Sequence, residues 1–385
     1  MQIIQTEKMR LPIYSWVTDI EEECLQQAIN LSNLPFAFKH IALMPDAHSG
    51  FGMPIGAVLA TQGEIIPNAV GVDIGCGMMA CKTNIQDYTP FKMEQIVKDI
   101  KSSIPVGHQW RSKPLVKKLP PHNHLPLVKK HAKDALLQLG TLGGGNHFIE
   151  LQKDWNHNLW IMIHSGSRNL GKQIADHYNK EAILLNLKTN SPVPQSHDLA
   201  HLSLKSTIGK KYLEEMQFCI VFAKLNRDLM FQEIKNILID HFPTISFGES
   251  INIEHNYARI ETHFGKEVIV HRKGATYAGR DTIGIIPGSQ GTKSFIVRGK
   301  GNKNSFHSCS HGAGRVMGRM AAKRNLDLEQ EKQALDERGI IHSIHSIRDL
   351  DEAPSAYKDI EVVMENQKDL VEILTELSPL GVVKG

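Results

Sequence analysis

An α+β fold in one large domain is the architecture this sequence predicts, and three observations point to it. Short apolar runs bounded by Gly, Pro, Asp or Asn read as strands. Longer stretches with apolar residues three and four apart read as helices. The two kinds are interspersed without the regular strand–helix alternation that builds a parallel sheet. With 385 residues, 41% of them hydrophobic, the chain can close one substantial core, and residues 1–385 are expected to form a single domain.

In chain order, helical periodicity appears near Asp19–Leu31, and strands are expected at Ile41–Met44 and Ile55–Ala60. Met93, Ile96, Val97 and Ile100 mark one face of a helix, and Leu159–His164 is a strand. The longest helix is expected over Ile208–Asp240, where apolar residues recur among charges. Strands follow at Val268–Arg272, Ile283–Ile286 and Phe295–Arg298, then a helical pattern from Val316 to Arg324. The last 30 residues read as a helix followed by a Pro-Leu-Gly tail.

No apolar run approaches the length of a membrane span, and Met1–Arg10 lacks a signal peptide's apolar segment. The five cysteines are scattered, odd in number and without a Cys-x-x-Cys pair, so a reducing cytoplasm is expected rather than a disulfide framework. A net charge of +3 is too mild to indicate a nucleic-acid binder. Two stretches nevertheless break the balance. Arg111–Lys133 carries seven Lys or Arg and no acid, with prolines interleaved; a solvated loop and an RNA contact both fit. Arg272–Arg324 carries eleven Lys or Arg and one acid, Asp281, within a Gly- and Ser-rich sequence, and this stretch is the better candidate for binding a polyanion.

Five motifs could carry chemistry. In Gly71-Val-Asp-Ile-Gly-Cys-Gly77, glycines let the backbone turn tightly enough to bring Asp73 and Cys76 to one point. A carboxylate and a thiolate together suit a metal, and a thiolate can bridge two; a Gly-rich turn with an inert buried Cys is the other reading. Gly140-Thr-Leu-Gly-Gly-Gly-Asn-His-Phe-Ile-Glu150 offers free backbone N–H groups for an anion, followed by Asn146, His147 and Glu150 at a strand start. It has neither the Lys-Ser/Thr of a Walker A loop nor the helix of a dinucleotide fingerprint. Ile161-Met-Ile-His-Ser-Gly-Ser-Arg168 ends a strand in His164 and delivers Arg168, whose fork fits phosphate. His255-Asn256 alone is a weak signal. In Ser310-His-Gly-Ala-Gly-Arg315, His311 is expected just before a helix N-terminus, as a nucleophile towards phosphorus or as a structural cap.

Asp73, Cys76, His147, His164 and His255 together make five mixed ligands, enough for two divalent ions about one sulfur. Ligand softness favours zinc or cobalt, while the hard phosphate and carboxylate oxygens also admit manganese. Adjacent cations would neutralise charge on a phosphoryl group in transfer.

These motifs occur in an order that resembles the RtcB RNA ligase family: GVDIGCG, GTLGGGNHFIE, HSGSR, HRKGAT, IPGSQGT, SHGAGR and the terminal GVVKG, with Met44–Gly56 and Ala353–Ile360 also fitting. The likeness runs from about Ile41 to Gly385. It implies the family's own α+β domain around a central metal and nucleotide site, with Asp73, Cys76, His147, His164 and His255 as ligands of two Mn²⁺ ions and Cys76 bridging. It implies His311 as the histidine that takes GMP from GTP, with Arg168 and Arg315 facing RNA phosphates or the phosphoryl centre. The implied guanylate pocket draws Asn146, His147, Phe148, Ile149 and Glu150 from one motif and His255 and Asn256 from another. Pro287, Gly288, Ser289 and Gln290 come from the PGSQG loop, Ser294 from just after it, and Gly312, Ala313 and Gly314 from the turn after His311. Tyr357 and Lys384 complete it.

The implied reaction joins RNA 3′-phosphate or 2′,3′-cyclic phosphate ends to 5′-hydroxyl ends. GTP charges His311, the cyclic phosphate is opened by metal-activated water, the 3′-phosphate accepts GMP, and the 5′-hydroxyl displaces it. Spliced tRNA halves and damaged RNA both supply such ends. The resemblance further implies a cytoplasmic monomer and an archease-type activating partner. This chain departs from the family's pattern at Gly318, where Ser is frequent, and at Gln290, where Met is frequent; its Asp87–Leu139 region is short and basic. The competing readings are a metal-dependent RNA-end phosphohydrolase and a non-catalytic RNA-binding protein. A lysine-charged ligase is disfavoured because no Lys-x-Asp-Gly occurs.

Overall fold

The computed structural model describes residues 1–385. Its strands are β1 (Gln2–Ile4), β2 (Ile13–Ser15), β3 (Ala37–His48), β4 (Ile55–Thr61), β5 (Glu64–Ile65), β6 (Gly77–Lys82), β7 (Phe148–Lys153), β8 (Leu159–Ser165) and β9 (Leu202–Ser203). They continue with β10 (Ile251–Glu254), β11 (Asn256–His263), β12 (Lys266–Lys273), β13 (Ala275–Tyr277), β14 (Ile283–Ile286), β15 (Ser294–Gly299), β16 (Ser308–Ser310) and β17 (Val371–Lys384). The helices are α1 (Glu22–Ser32), α2 (Pro67–Val70), α3 (Pro90–Ser103), α4 (Pro126–Gln138), α5 (Arg168–Lys188), α6 (Thr207–His241), α7 (Arg319–Asn325), α8 (Leu328–Asp336) and α9 (Ile360–Asn366). None is long and apolar enough to cross a membrane.

Two sheets dominate. The first has the order β1-β2-β3-β4-β12-β11 and the second β10-β6-β8-β7-β17-β15-β14. Within them only β2 and β3 run parallel, so helices segregate beside antiparallel sheets, as an α+β chain requires. The chain passes directly from the second sheet to the first at His255, between β10 and β11. Helix α6 is the longest because apolar residues recur on one face: Tyr212, Met216, Cys219, Ala223, Met230 and Ile234 are all buried. The Ser206 hydroxyl caps its start by accepting from Gly209 N–H at 3.1 Å.

All six apolar runs read from the sequence lie in strands, and the helices at α1, α3 and α6 are present. Three expectations need correction. The helix following His311 begins at Arg319, not Val316, so His311 sits in a turn well ahead of any helix N-terminus. The C-terminal stretch is a 14-residue strand, β17, preceded by the short α9; its exposed polar residues alternate only loosely, because it spans both β15 and β7 with a bulge between Pro379 and Gly381. The basic stretch Arg111–Lys133 runs into α4, whose Pro126 occupies the first turn, where a missing N–H costs nothing. Helix α5 was not anticipated, although Leu170, Ile174, Tyr178 and Ala182 bury one face at helical spacing.

Candidate metal and nucleotide site

Strand register assembles the cluster. Neighbouring strands of the second sheet place Glu254 opposite Gly77, Gly77 opposite Ser165, His164 opposite Phe148 and Phe148 opposite Lys384. Five strands therefore start or end along one line at one end of the sheet, and four of them carry the ligands. Cys76 precedes β6, His147 precedes β7, His164 lies in β8 and His255 follows β10. The Cys76 Sγ is 3.2 Å from His164 Nε2 and 3.4 Å from His147 Nε2. His164 Nε2 is 3.3 Å from His255 Nε2, and Asp73 Oδ2 is 2.9 Å from His147 Nε2. Gly166 makes room for the carboxylate, since a Cβ there would stand 2.1 Å from Asp73 Oδ1.

These five groups divide into two sets of three, Cys76–His164–His255 and Asp73–Cys76–His147, that share the sulfur. The arrangement fits a pair of divalent cations. His164 is oriented by its Nδ1, 2.9 Å from the Asn146 carbonyl, which leaves Nε2 for a metal. The buried Nδ1 of His255 has no partner. Burial pushes His164 and His255 well below the usual histidine range, so both are neutral, the form that binds metal. Burial and the nearby Asp73 carboxylate push the Cys76 thiol up, a penalty that coordination reverses.

Two residues outside the predicted set wire these segments together. Arg227, fully buried in α6, donates from Nη1 to Ser165 O (2.8 Å) and Gly75 O (3.1 Å), and from Nε to Asn252 Oδ1 (2.7 Å). Asn226 accepts from Gly140 N–H (2.8 Å) and donates to Thr141 O and Ser165 Oγ, both at 3.1 Å. Asn226 and Arg227 fall on the apolar stripe of this helix, between Ala223 and Met230, and that was the signal in the sequence, because buried polar groups are kept only where they are bonded.

Beside the cluster lies a cavity of ≈ 290 Å³. It is lined by His164, His255 and Asn256 of the cluster region and by Pro287–Gln290 and His311–Arg315. Asn146, Phe148, Glu150, Tyr357 and Lys384 complete the wall. Three residues expected there do not line it. His147 turns its ring to the ligand cluster instead, with Nε2 2.9 Å from Asp73 Oδ2. Ile149 alternates to the far face of β7 and joins the core with Leu151 and Ile161. Ser294 is fully buried behind the PGSQG loop, its Oγ accepting from Gln152 Nε2 (3.0 Å) and Gly288 N–H (3.2 Å).

His311 reaches the cluster. Its ring centroid is 4.9 Å from that of His255. Its Nδ1 lies 2.7 Å from Asp46 Oδ2, and the same oxygen accepts from the backbone N–H of His311 (3.0 Å) and Gly312 (3.4 Å). Asp46 is buried, which would raise its carboxyl, but the attraction and hydrogen bond of His311 hold it below the ordinary range. With Nδ1–H donated to a carboxylate, Nε2 keeps a lone pair free for attack. Gly314 secures this contact: its φ is +74°, and a Cβ would meet Asp46 O at 2.2 Å. Asp46 lies in the Met44–Gly56 segment, whose role the sequence did not reveal.

Glu352 is a second unanticipated hub, one residue before the Ala353–Ile360 motif. Its carboxylate meets Lys384 Nζ (2.8 Å), Arg315 Nη1 (3.3 Å), Arg319 Nε (3.4 Å) and the Tyr357 hydroxyl. Burial opposes its charge, yet Lys384 and these partners hold it down to about 2. Arg315 also stacks on Tyr357, 5.0 Å from the ring centroid, so its charge is shared with the pocket wall. Glu150 differs: burial raises its carboxyl to about 8, and its Oε1 has no partner. Arg168 begins α5, with Nη1 3.4 Å from His147 Nδ1 and no carboxylate partner.

A family model described as "tRNA-splicing ligase RtcB" matches residues 27–123 and 116–385. The chain is 38% identical over 421 aligned residues to the "RNA-splicing ligase RtcB" of Escherichia coli K12, covering 100% of this chain and 99% of that protein. It is 30% identical over 444 residues to the "tRNA-splicing ligase RtcB" of Thermococcus kodakarensis, covering 95% and 92%. The "RNA-splicing ligase RtcB" of Mycobacterium tuberculosis is 30% identical over 440 residues, covering 93% and 100%.

Proposed function

The chain belongs to the RtcB tRNA-splicing ligase family, and from that premise we propose a GTP- and manganese-dependent RNA ligase whose covalent intermediate is GMP on His311. The observation that carries the reading is the placement of His311 between a buried carboxylate and a metal-type cluster, 2.7 Å from Asp46 and ring to ring with His255. The ligase joins RNA 3′-phosphate ends to 5′-hydroxyl ends, and 2′,3′-cyclic ends are first hydrolysed to 3′-phosphates.

The residues divide the work as follows. His311 Nε2 attacks the α-phosphorus of GTP, the Nε2–P bond forms as the bond to pyrophosphate breaks, and Asp46 stabilises the positive charge that grows on the ring. GMP then passes to the RNA 3′-phosphate, and the 5′-hydroxyl oxygen displaces it to close the phosphodiester. Asp73, Cys76, His147, His164 and His255 would hold two Mn²⁺ ions, which supply charge neutralisation for phosphoryl oxygens when bound. Arg168, without a carboxylate partner, offers its fork to a phosphate beside His147. Glu150 and Lys384 suit guanine: an acceptor for the ring's amino and imino N–H groups, and a donor for its carbonyl. Five cysteines, all free and buried, fit a reducing cytoplasm.

A metal-dependent phosphohydrolase would leave the His311–Asp46 pair without a task. Incubation with α-labelled GTP and Mn²⁺ tests the proposal. The wild-type protein should take label and His311→Ala should not; an unlabelled wild type would refute it.

A further inference from the structure

The two basic stretches exchange rank once ion pairs are known. In Arg272–Arg324, six of the eleven cations meet carboxylates: Arg272 with Glu261, Lys293 with Glu376, Arg298 with Glu372, Arg315 and Arg319 with Glu352, and Lys323 with Asp351. A seventh, Lys273, is buried with its Nζ on the Phe51 carbonyl. In Arg111–Lys133 only Arg111 is paired, with Glu233. The other six are lysines on α4 or on the loop before it, exposed and without carboxylate partners. Uncompensated exposed charge of one sign is what a polyanion meets favourably.

This loop is anchored at the active site. Val106 bridges Gly143, Gly107 N–H donates to Gly143 O at 2.8 Å, and Arg111 N–H donates to Leu137 O at 3.0 Å. Val106 and Gly107 are thus fixed on the Gly-rich loop that presents His147, and Arg111 is held at the end of α4 and, through its Nε, on Gly140 O at 3.1 Å. Arg168, which touches His147 through Nη1, reaches Gly107 O with Nη2 at 3.4 Å. On the other side, Gly385 follows the cavity-lining Lys384 and packs so close that a Cβ there would stand 2.8 Å from Gly107 N. Gly107 is therefore at the rim of the site. Trp110 is three residues on, at most about 11 Å along the chain. It is 45% exposed, so part of its indole face is open for a base to stack on.

We infer that Gly107–His124 is the track for a single-stranded RNA substrate, with Trp110 stacking on a base near the reacting end and Lys113, Lys117 and Lys118 taking the adjoining phosphates. The inference rests on the ligase reading and adds to it the surface by which this chain holds RNA. Alternating an aromatic platform with lysines is how proteins grip single strands without reading sequence, since every base has a face to stack. An acidic protein surface would match the lysines but would leave the exposed indole, carried on a backbone bonded at Gln109 and Arg111, without a role.

The test uses the full chain loaded with Mn²⁺ and an RNA oligonucleotide bearing a 3′-phosphate, with binding followed by fluorescence anisotropy over a salt series. Trp110→Ala should weaken binding roughly tenfold or more, and Trp110→Phe should restore most of it. Replacing Lys113, Lys117 and Lys118 together by Ala should flatten the slope of log affinity against log salt by about 2, at roughly 0.7 per lost phosphate contact. All four side chains are exposed, so these changes leave the core untouched. RNA affinity and salt slope indifferent to both variants, in a protein that still takes label from GTP, would overturn the track alone. A wild-type protein that takes no label would overturn the ligase reading and the track with it.

Discussion

Replacing Asp46 by Asn keeps the shape of the side chain and removes its charge. In the native structure one oxygen, Oδ2, accepts from His311 Nδ1 and from the N–H groups of His311 and Gly312. If the Asn carbonyl takes that place, its NH₂ must occupy the position of Oδ1, which is buried without any partner. If the amide flips, NH₂ faces the ring nitrogen that should be donating, and the tautomer with a free Nε2 is lost. Either way a charge-assisted bond to the nucleophile becomes neutral or breaks. Such bonds contribute about 1.5–3 kcal/mol, which corresponds to a roughly 10- to 150-fold slower reaction if expressed in the attack on GTP. The assay is the single-turnover rate of GTP labelling, with manganese content measured in parallel. Slower labelling at unchanged metal content is the expected result. Labelling at the wild-type rate would show that Asp46 does not prepare His311.

Cys76→Ala should abolish labelling by a different route, since both three-residue ligand sets share the sulfur; elemental analysis after dialysis should find the protein depleted of manganese. Gly314→Ala forces a Cβ against Asp46 O and a non-glycine residue into a left-handed backbone, a cost of about 1–2 kcal/mol from the backbone alone, so both the melting temperature and the labelling rate should fall. Removing Lys384 and Gly385 should weaken guanylylation and leave metal content intact, because Lys384 lines the cavity and touches none of the five ligands; normal labelling of the truncated protein would exclude the tail from the nucleotide pocket. GTP affinity should rise with pH and level off above about 8. Burial keeps the proton on Glu150 below that value, guanine's N–H donors favour the carboxylate, and binding therefore releases a proton. Glu150→Gln should flatten the profile.

The candidate ligands were legible in the sequence because each sits in a short motif of unusual composition. Asp73 and Cys76 are framed by glycines, His147 follows a glycine run, and His164 ends an apolar strand beside Ser-Gly-Ser-Arg. Strands such as β4 and β8 were legible for the same local reason, being apolar runs between turn residues. Helix α5 and strand β17 were harder. The first hides its buried stripe among polar residues, and the second takes its form from pairing with β15 and β7, partners distant in the chain. Asp46 and Glu352 were missed because nothing near them in sequence distinguishes a carboxylate that will be buried against a histidine or a lysine. The ion pairs within Arg272–Arg324 were equally illegible, since charge counts do not record which cations already have partners.

Side-chain chemistry and backbone punctuation are written locally, and from them came the mixed α and β character, the set of metal-type ligands and the histidine proposed as the nucleophile. Their convergence was not written there. It arises from the register of β10, β6, β8, β7 and β17, whose ends share one line, and from Arg227 and Asn226, whose side chains tie Gly75, Gly140, Ser165 and Asn252 together. Register and buried hydrogen bonds join residues far apart in the chain, and whether a charge is free, paired or raised in pKa depends on those neighbours alone.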